Sequence, residues 1–138
     1  MNQQKPLNIL NIDDDDVNNF ILEKLIRKIE SDVVINVCHN GETAIDHLLN
    51  LIKRDKGYPD FIFVDVAMPV MNGWEFLTEY KRYDLDKVLK SKIFIATSSI
   101  FKRDYDLASR YSIVENYIVK PFSLEVLENI LKGRPRLV

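Results

Sequence analysis

Five apolar runs of strand length recur along this chain, and each gives way to residues with helical spacing. The runs are Leu7 to Ile12, Val33 to Val37, Phe61 to Val64, Ile93 to Ala96 and Tyr117 to Val119. Several are apolar at nearly every position, as strands buried on both faces of a parallel sheet require. Between them Val17, Phe20, Ile21, Leu25 and Ile29 fall on one helical stripe, and Ala44, Ile45, Leu48, Leu49 and Ile52 on another. Phe76 and Leu77 with Trp74 follow the third run, Leu107 and Tyr111 the fourth, and Leu124, Leu127, Ile130 and Leu131 the last. Strand then helix, five times over, predicts a doubly wound α/β sandwich.

The 138 residues suit one domain, with a core over about 6–132 and a short tail at 133–138. No repeat, low-complexity segment or linker interrupts it. Ser123 is placed to cap the last helix and Gly133 to stop it. Lys81 to Ser91 is charged and broken, and reads as an extra helical turn or an exposed loop. A net charge of −2 gives no reason to expect nucleic acid or an anionic membrane as partner. The basic cluster of Lys132, Arg134 and Arg136 reads as a solvated terminus. Cys38 is the only cysteine, so no intramolecular disulfide forms, and a buried small hydrophobe is its expected role. No apolar run approaches the roughly 20 residues of a membrane span, and the expected location is the cytoplasm.

The polar residues of interest all stand where a strand ends. Four aspartates, Asp13 to Asp16, follow the first run, Asp65 the third, Thr97 the fourth and Lys120 the fifth. In open α/β sheets ligands bind outside those strand ends. Taken singly, each has a plain structural reading. Asp15 and Asp16 fall where a helix begins and complement its amides and dipole. Asp65 could cap a turn at Asn72 and Gly73, Thr97 could belong to a polar loop with Ser98 and Ser99, and Lys120 could be a surface lysine. All of these would have to hold together at one edge of one sheet, which favours a shared site.

Clustered carboxylates repel unless a cation or proton neutralises them; at about 4 Å a like-charged pair costs roughly 4 kcal/mol at an effective dielectric near 20. Asp13, Asp14 and Asp65, if they converge, suit a hard cation with oxygen ligands such as Mg²⁺, with Mn²⁺ as its substitute. Thiolates and clustered imidazoles are missing, and His39 and His47 read as ordinary surface or half-buried side chains. A carboxylate beside such a cation and a lysine is set to attack a phosphoryl group. The acyl phosphate so formed would put about −1.5 to −2 charges where one carboxylate stood, enough to move a hydroxyl and a loop.

At these residues the chain resembles the receiver domain of bacterial response regulators. The matching pieces are LNILNIDDDD (7–16), FIFVDVAMPVMNGWEFL (61–77), KIFIATSS (92–99) and YIVKPF (117–122). Asp65 stands 32 positions before Thr97, and Thr97 stands 23 before Lys120, both as in the family. The resemblance implies a five-stranded parallel sheet in order 2-1-3-4-5, flanked by five helices. It implies that Asp65 is the phosphoacceptor and that Asp13 and Asp14 hold Mg²⁺, with Asp14 favoured as the direct ligand. The Ala67 main-chain carbonyl would be a further ligand. Thr97 would be the switch hydroxyl, Tyr117 the aromatic that reorients with it, and Lys120 the partner of the phosphoryl group. Pro121 would follow a cis peptide bond.

Two positions past Asp65, where many relatives carry a polar side chain, this chain has Ala67; two past Thr97 it has Ser99. In the family these flank the path of the water that hydrolyses the acyl phosphate. The expectation is therefore a stand-alone, phosphorylatable signalling module. Its donor would be a sensor histidine kinase or a histidine phosphotransfer protein, and its output either contact with an unidentified protein target or relay of the phosphoryl group to a histidine phosphotransfer protein. A monomer is the default state, with dimerisation on phosphorylation the alternative. Two other readings fit the residues less well. An aspartyl-phosphate phosphatase would want a second acid where Ala67 stands. A phosphate-independent binding module would be expected to have lost an acid, the threonine or the lysine, and none is lost. The face around Phe101, Tyr117 and the last helix is the family's usual output surface, though Phe101 and Tyr105 could equally pack inside.

Overall fold

A computed structural model describes residues 5–133, through which five parallel strands run. They are β1 (Leu7–Ile12), β2 (Val33–Cys38), β3 (Phe61–Val64), β4 (Lys92–Thr97) and β5 (Val114–Val119), in spatial order β2-β1-β3-β4-β5. The helices are α1 (Asp16–Ile29), α2 (Gly41–Arg54), α3 (Gly73–Arg82), α4 (Leu85–Val88), α5 (Lys102–Ala108) and α6 (Leu124–Lys132). The predicted strand order is the one observed. A sixth helix, the single turn α4, accounts for the broken stretch, and it buries Leu85 with Leu89 just beyond. Arg134 and Arg136 of the basic cluster lie outside the described residues.

Alternation along the strands divides the core into two layers. Leu7, Ile9, Phe61, Phe63, Phe94 and Ala96 meet Leu22 and Ile26 of α1 and Leu127 and Leu131 of α6. Leu10, Ile12, Ile62, Val64, Ile93 and Ile95 face the other way, against α2, α3 and α4. β1, β3 and β4 are therefore buried on both faces, which is why they read as continuous apolar runs. β5 is an edge strand and begins three residues before the predicted Tyr117. Its first part carries Glu115 and Asn116 past a register shift opposite Ile93 and Phe94, so polarity hides it in the sequence.

The stripe predicted for α1 holds at Leu25 and Ile29, which pack half-buried against the core, and is corrected at its first turns. Val17, Phe20 and Ile21 are exposed, and the buried residues are Asn19, Leu22 and Ile26. The phase of the helix is set by polar contacts: Asp15 caps it, accepting from Val17 and Asn18, while Asn19 turns inward. Ser123 caps α6 by accepting from Val126, as predicted. Gly133 ends that helix at φ −83°, outside the left-handed region. Among the described residues no helix is long and apolar enough to cross a membrane.

Candidate functional site

The sheet's carboxyl edge is built by main-chain bonds that fix the acids in place. Ile12 and Val64 are register partners on adjacent strands, so Asp13 and Asp65 leave the sheet side by side. The Asp13 N–H donates to Cys38 O at 3.0 Å and the Asp65 N–H to Ile12 O at 2.9 Å. One carboxylate oxygen from each of Asp13, Asp14 and Asp65 lies within 4.8 Å of the others. Asp13 is buried, Asp65 half-buried and Asp14 exposed. Lys120 comes from the end of β5, its N–H bound to Thr97 O at 2.8 Å, and Pro121 follows it through a cis peptide bond. Its ammonium pairs with Asp13 and lies 3.5 Å from Asp65 Oδ2.

Burial pushes the Asp65 carboxyl above its usual range. The Lys120 charge pulls it down, the Asp13 charge pushes it up, and hydrogen bonds from Ala67 and Thr97 favour the ionised form. The donor set is all oxygen, arranged around a gap that three carboxylates and one ammonium leave net negative. That chemistry fits a hard divalent cation and excludes a thiolate-bound metal.

The loop after β3 is held by close approaches. A Cβ on Gly73 would lie 2.3 Å from Asp65 O, so glycine alone lets α3 start against the acid. Asn72 and Glu75 form a reciprocal capping box there. The loop also carries Val70 at φ +66°, a left-handed conformation that a β-branched residue rarely takes. Ala67 donates its N–H to Asp65 Oδ1 at 3.4 Å. His39 lies 3.1 Å from Asp16, an exposed acid outside the cluster, and His47 is half-buried on α2.

Thr97 is buried at the end of β4, and its hydroxyl oxygen accepts from the Ser99 N–H at 3.3 Å. The Tyr117 hydroxyl donates to Ser99 O at 3.0 Å, and its ring meets Tyr105 edge-on at 5.6 Å. Phe101 and Tyr105 are exposed, which settles their even choice between packing inside and facing out.

Two features of the site carry little signal in the sequence. Asn11 and Asn19 form a buried side-chain bond of 2.6 Å, and Asn19 donates to Asp13 O at 3.1 Å, fixing the acidic loop from below. An asparagine inside the apolar run LNILNI was the available signal. The other is Asp104, which bonds Ser99 and had no signal beyond its place in a helix's first turn.

This fold and edge are shared with known proteins. The response regulator receiver domain matches residues 9–132. The chain belongs to that family. Chemotaxis protein CheY-3 of Vibrio cholerae is 32% identical over 127 residues, covering 92% of this chain and 90% of its own length. The crystal structure of a two-component response regulator from Cytophaga hutchinsonii superposes with TM-score 0.83 at 32% identity, over 94% of this chain and 96% of that one. Receiver sequences also occur inside longer proteins. The sensor histidine kinase CheAY of Helicobacter pylori is 29% identical over 129 residues, which are 94% of this receiver but 15% of the kinase. Across the first three curated relatives the chain spans 15%, 20% and 45% of their length. Receivers are phosphoacceptor modules of two-component signalling rather than classical enzymes.

Proposed function

We propose that this receiver takes a phosphoryl group onto Asp65 from a phosphohistidine on a sensor kinase or phosphotransfer protein. An Asp65 oxygen attacks phosphorus; the N–P bond breaks and its electron pair returns to the imidazole. The observation that carries the reading is the gathering of Asp13, Asp14 and Asp65 within 4.8 Å beside Lys120. Asp13, Asp14 and Asp65, with the Ala67 carbonyl, would hold Mg²⁺, which when bound offsets the charge on the transferring oxygens.

Lys120 trades its Asp13 partner for a phosphoryl oxygen, and Thr97 donates its hydroxyl to another. Tyr117 follows Thr97, and the altered face around β5, α5 and α6 meets a protein target. Acetyl phosphate with Mg²⁺ should add one phosphoryl group to the wild-type chain, seen by intact mass, and none to Asp65→Asn. Labelling that survives this substitution would refute the assignment.

A further inference from the structure

Helix α2 starts hard against the loop that follows β3. The Gly41 N–H donates to Met71 O at 2.9 Å. A Cβ on Gly41 would lie 2.8 Å from Met71 Cγ, 2.9 Å from its carbonyl oxygen and 3.0 Å from its sulfur. Among the described residues Gly57 is the one glycine with a left-handed φ, so Gly41 is required by what lies against it and not by its own backbone. The helix has no freedom to back away, because Ala44, Ile45, Leu48 and Leu51 bury it in the core. The strain lies in the loop. Met71 donates its N–H to Pro69 O at 2.7 Å across Val70 at φ +66°, a γ-turn of the rarer, strained kind. Such a turn persists only where its surroundings hold it. The Val70 side chain is exposed and gives no hold. Met71 is held instead, by its packing on the core and by the Gly41 N–H on its carbonyl.

We propose that Gly41 is a positioning residue for the metal site: by letting α2 close on Met71, it fixes the loop segment that carries the Ala67 carbonyl. The inference rests on the reading that Asp13, Asp14, Asp65 and that carbonyl hold Mg²⁺. The loop is closed at its base, where the Gly73 N–H donates to Val66 O at 2.9 Å and Gly73 leaves no room against Asp65 O. A push on Met71 therefore finds no slack at that end. It passes to residues 67–70, all exposed except the half-buried Met68. Mg²⁺ demands near-ideal octahedral placement of its oxygens, so a displaced carbonyl weakens it. The glycine does nothing for the helix itself, in which alanine is the better residue.

The test titrates the whole chain with MgCl₂ and follows the amide NMR shifts of Asp13, Asp14 and Ala67. Gly41→Ala should weaken Mg²⁺ binding by about tenfold, the usual loss when a residue supporting a metal ligand is changed. It should also move the Ala67 amide before any metal is added. Combining Gly41→Ala with Met71→Ala removes the side-chain clashes and keeps the one with the carbonyl, so this variant folds more readily. It should still bind Mg²⁺ more weakly than Met71→Ala alone. Leu51→Val loosens α2 about 15 Å further along and should keep the wild-type affinity. Wild-type affinity in Gly41→Ala, or the Met71→Ala affinity in the double variant, overturns the positioning role. So does an equal loss in Leu51→Val. A wild type whose shifts do not respond to Mg²⁺ overturns it together with the metal site on which it rests.

Discussion

Lys120 and Asp13 form a buried ion pair, while Asp65 is held more loosely by the same ammonium, at 3.5 Å. One cation is thus shared between two acids, and Asp14 stands beside them without relieving their repulsion. Removing one partner of a buried pair leaves an uncompensated charge, which costs about 3 kcal/mol or more. Lys120→Met should therefore lower the stability of the metal-free receiver by about that amount in urea unfolding with chelator present. Asp65→Asn removes a like charge whose burial already opposes ionisation, and should raise it by about 1 kcal/mol. Added Mg²⁺ should stabilise the wild type and much less so Asp65→Asn.

Val70 holds φ +66° with 73% of its surface exposed, so its side chain gains little packing in return for the strain. A left-handed conformation costs an L-residue roughly 1–2 kcal/mol, and asparagine tolerates it better. Val70→Asn should raise the urea midpoint, a gain of about 1 kcal/mol, with the slope unchanged. Asparagine is preferable to glycine as the test because it adds little freedom to the unfolded chain.

The parts of this receiver that the sequence disclosed are those where each residue's burden falls on its own position. β1, β3 and β4 declare themselves because both faces are buried, Asp13, Asp65 and Lys120 because each directly follows a strand, and Thr97 because it ends one. The inward face of α1 was hidden because Asn19, a polar residue, is buried through hydrogen bonds that composition does not advertise. The apolar residues around it point in several directions, and the stripe through Val17 and Phe20 was the exposed one. The start of β5 was hidden by edge-strand polarity. The Ser99–Asp104 bond and the φ of Val70 are properties of one loop conformation, which no periodicity encodes.

Gly73 fixes how closely α3 approaches the acidic edge. In Gly73→Ala the new methyl would meet the Asp65 carbonyl at 2.3 Å, a contact that main chain must relieve by moving. Forced overpacking of this kind costs about 1–3 kcal/mol. Because the displaced atoms belong to Asp65 and Val66, Mg²⁺ affinity should fall along with stability. Parallel chelator and Mg²⁺ unfolding curves check both. Equal metal-induced stabilisation in variant and wild type would refute the link.

Tyr80 is buried between α3 and the sheet, and its hydroxyl finds no hydrogen-bond partner among the protein atoms. Burial, then the Asp86 charge, push its phenol far above the ordinary value of 10.0. An acid with a raised native pKa keeps its proton in the folded state where the unfolded chain has lost it. Its contribution is thus complete below about pH 10 and falls away as pH rises toward the native pKa. Tyr80→Phe should change stability at neutral pH by no more than about 1 kcal/mol. Above pH 10 it should flatten the fall seen in the wild type, measured as the difference between the two proteins.

Ala67 stands two residues past Asp65 and offers a hydrolytic water nothing to bond with beyond its main chain. Ser99, on the opposite flank, spends its hydroxyl on Asp104 and on the Phe101 N–H. Neither side chain is therefore available to orient water toward phosphorus once Asp65 is phosphorylated. An amide at position 67 would supply one hydrogen bond there. A bond of about 1 kcal/mol, made only in the transition state, is worth somewhat less than tenfold in rate. Ala67→Asn should shorten the acyl-phosphate lifetime by about that factor, followed by loss of radiolabel from phosphorylated protein after donor removal. An unchanged lifetime would mean that the path of the water avoids residue 67.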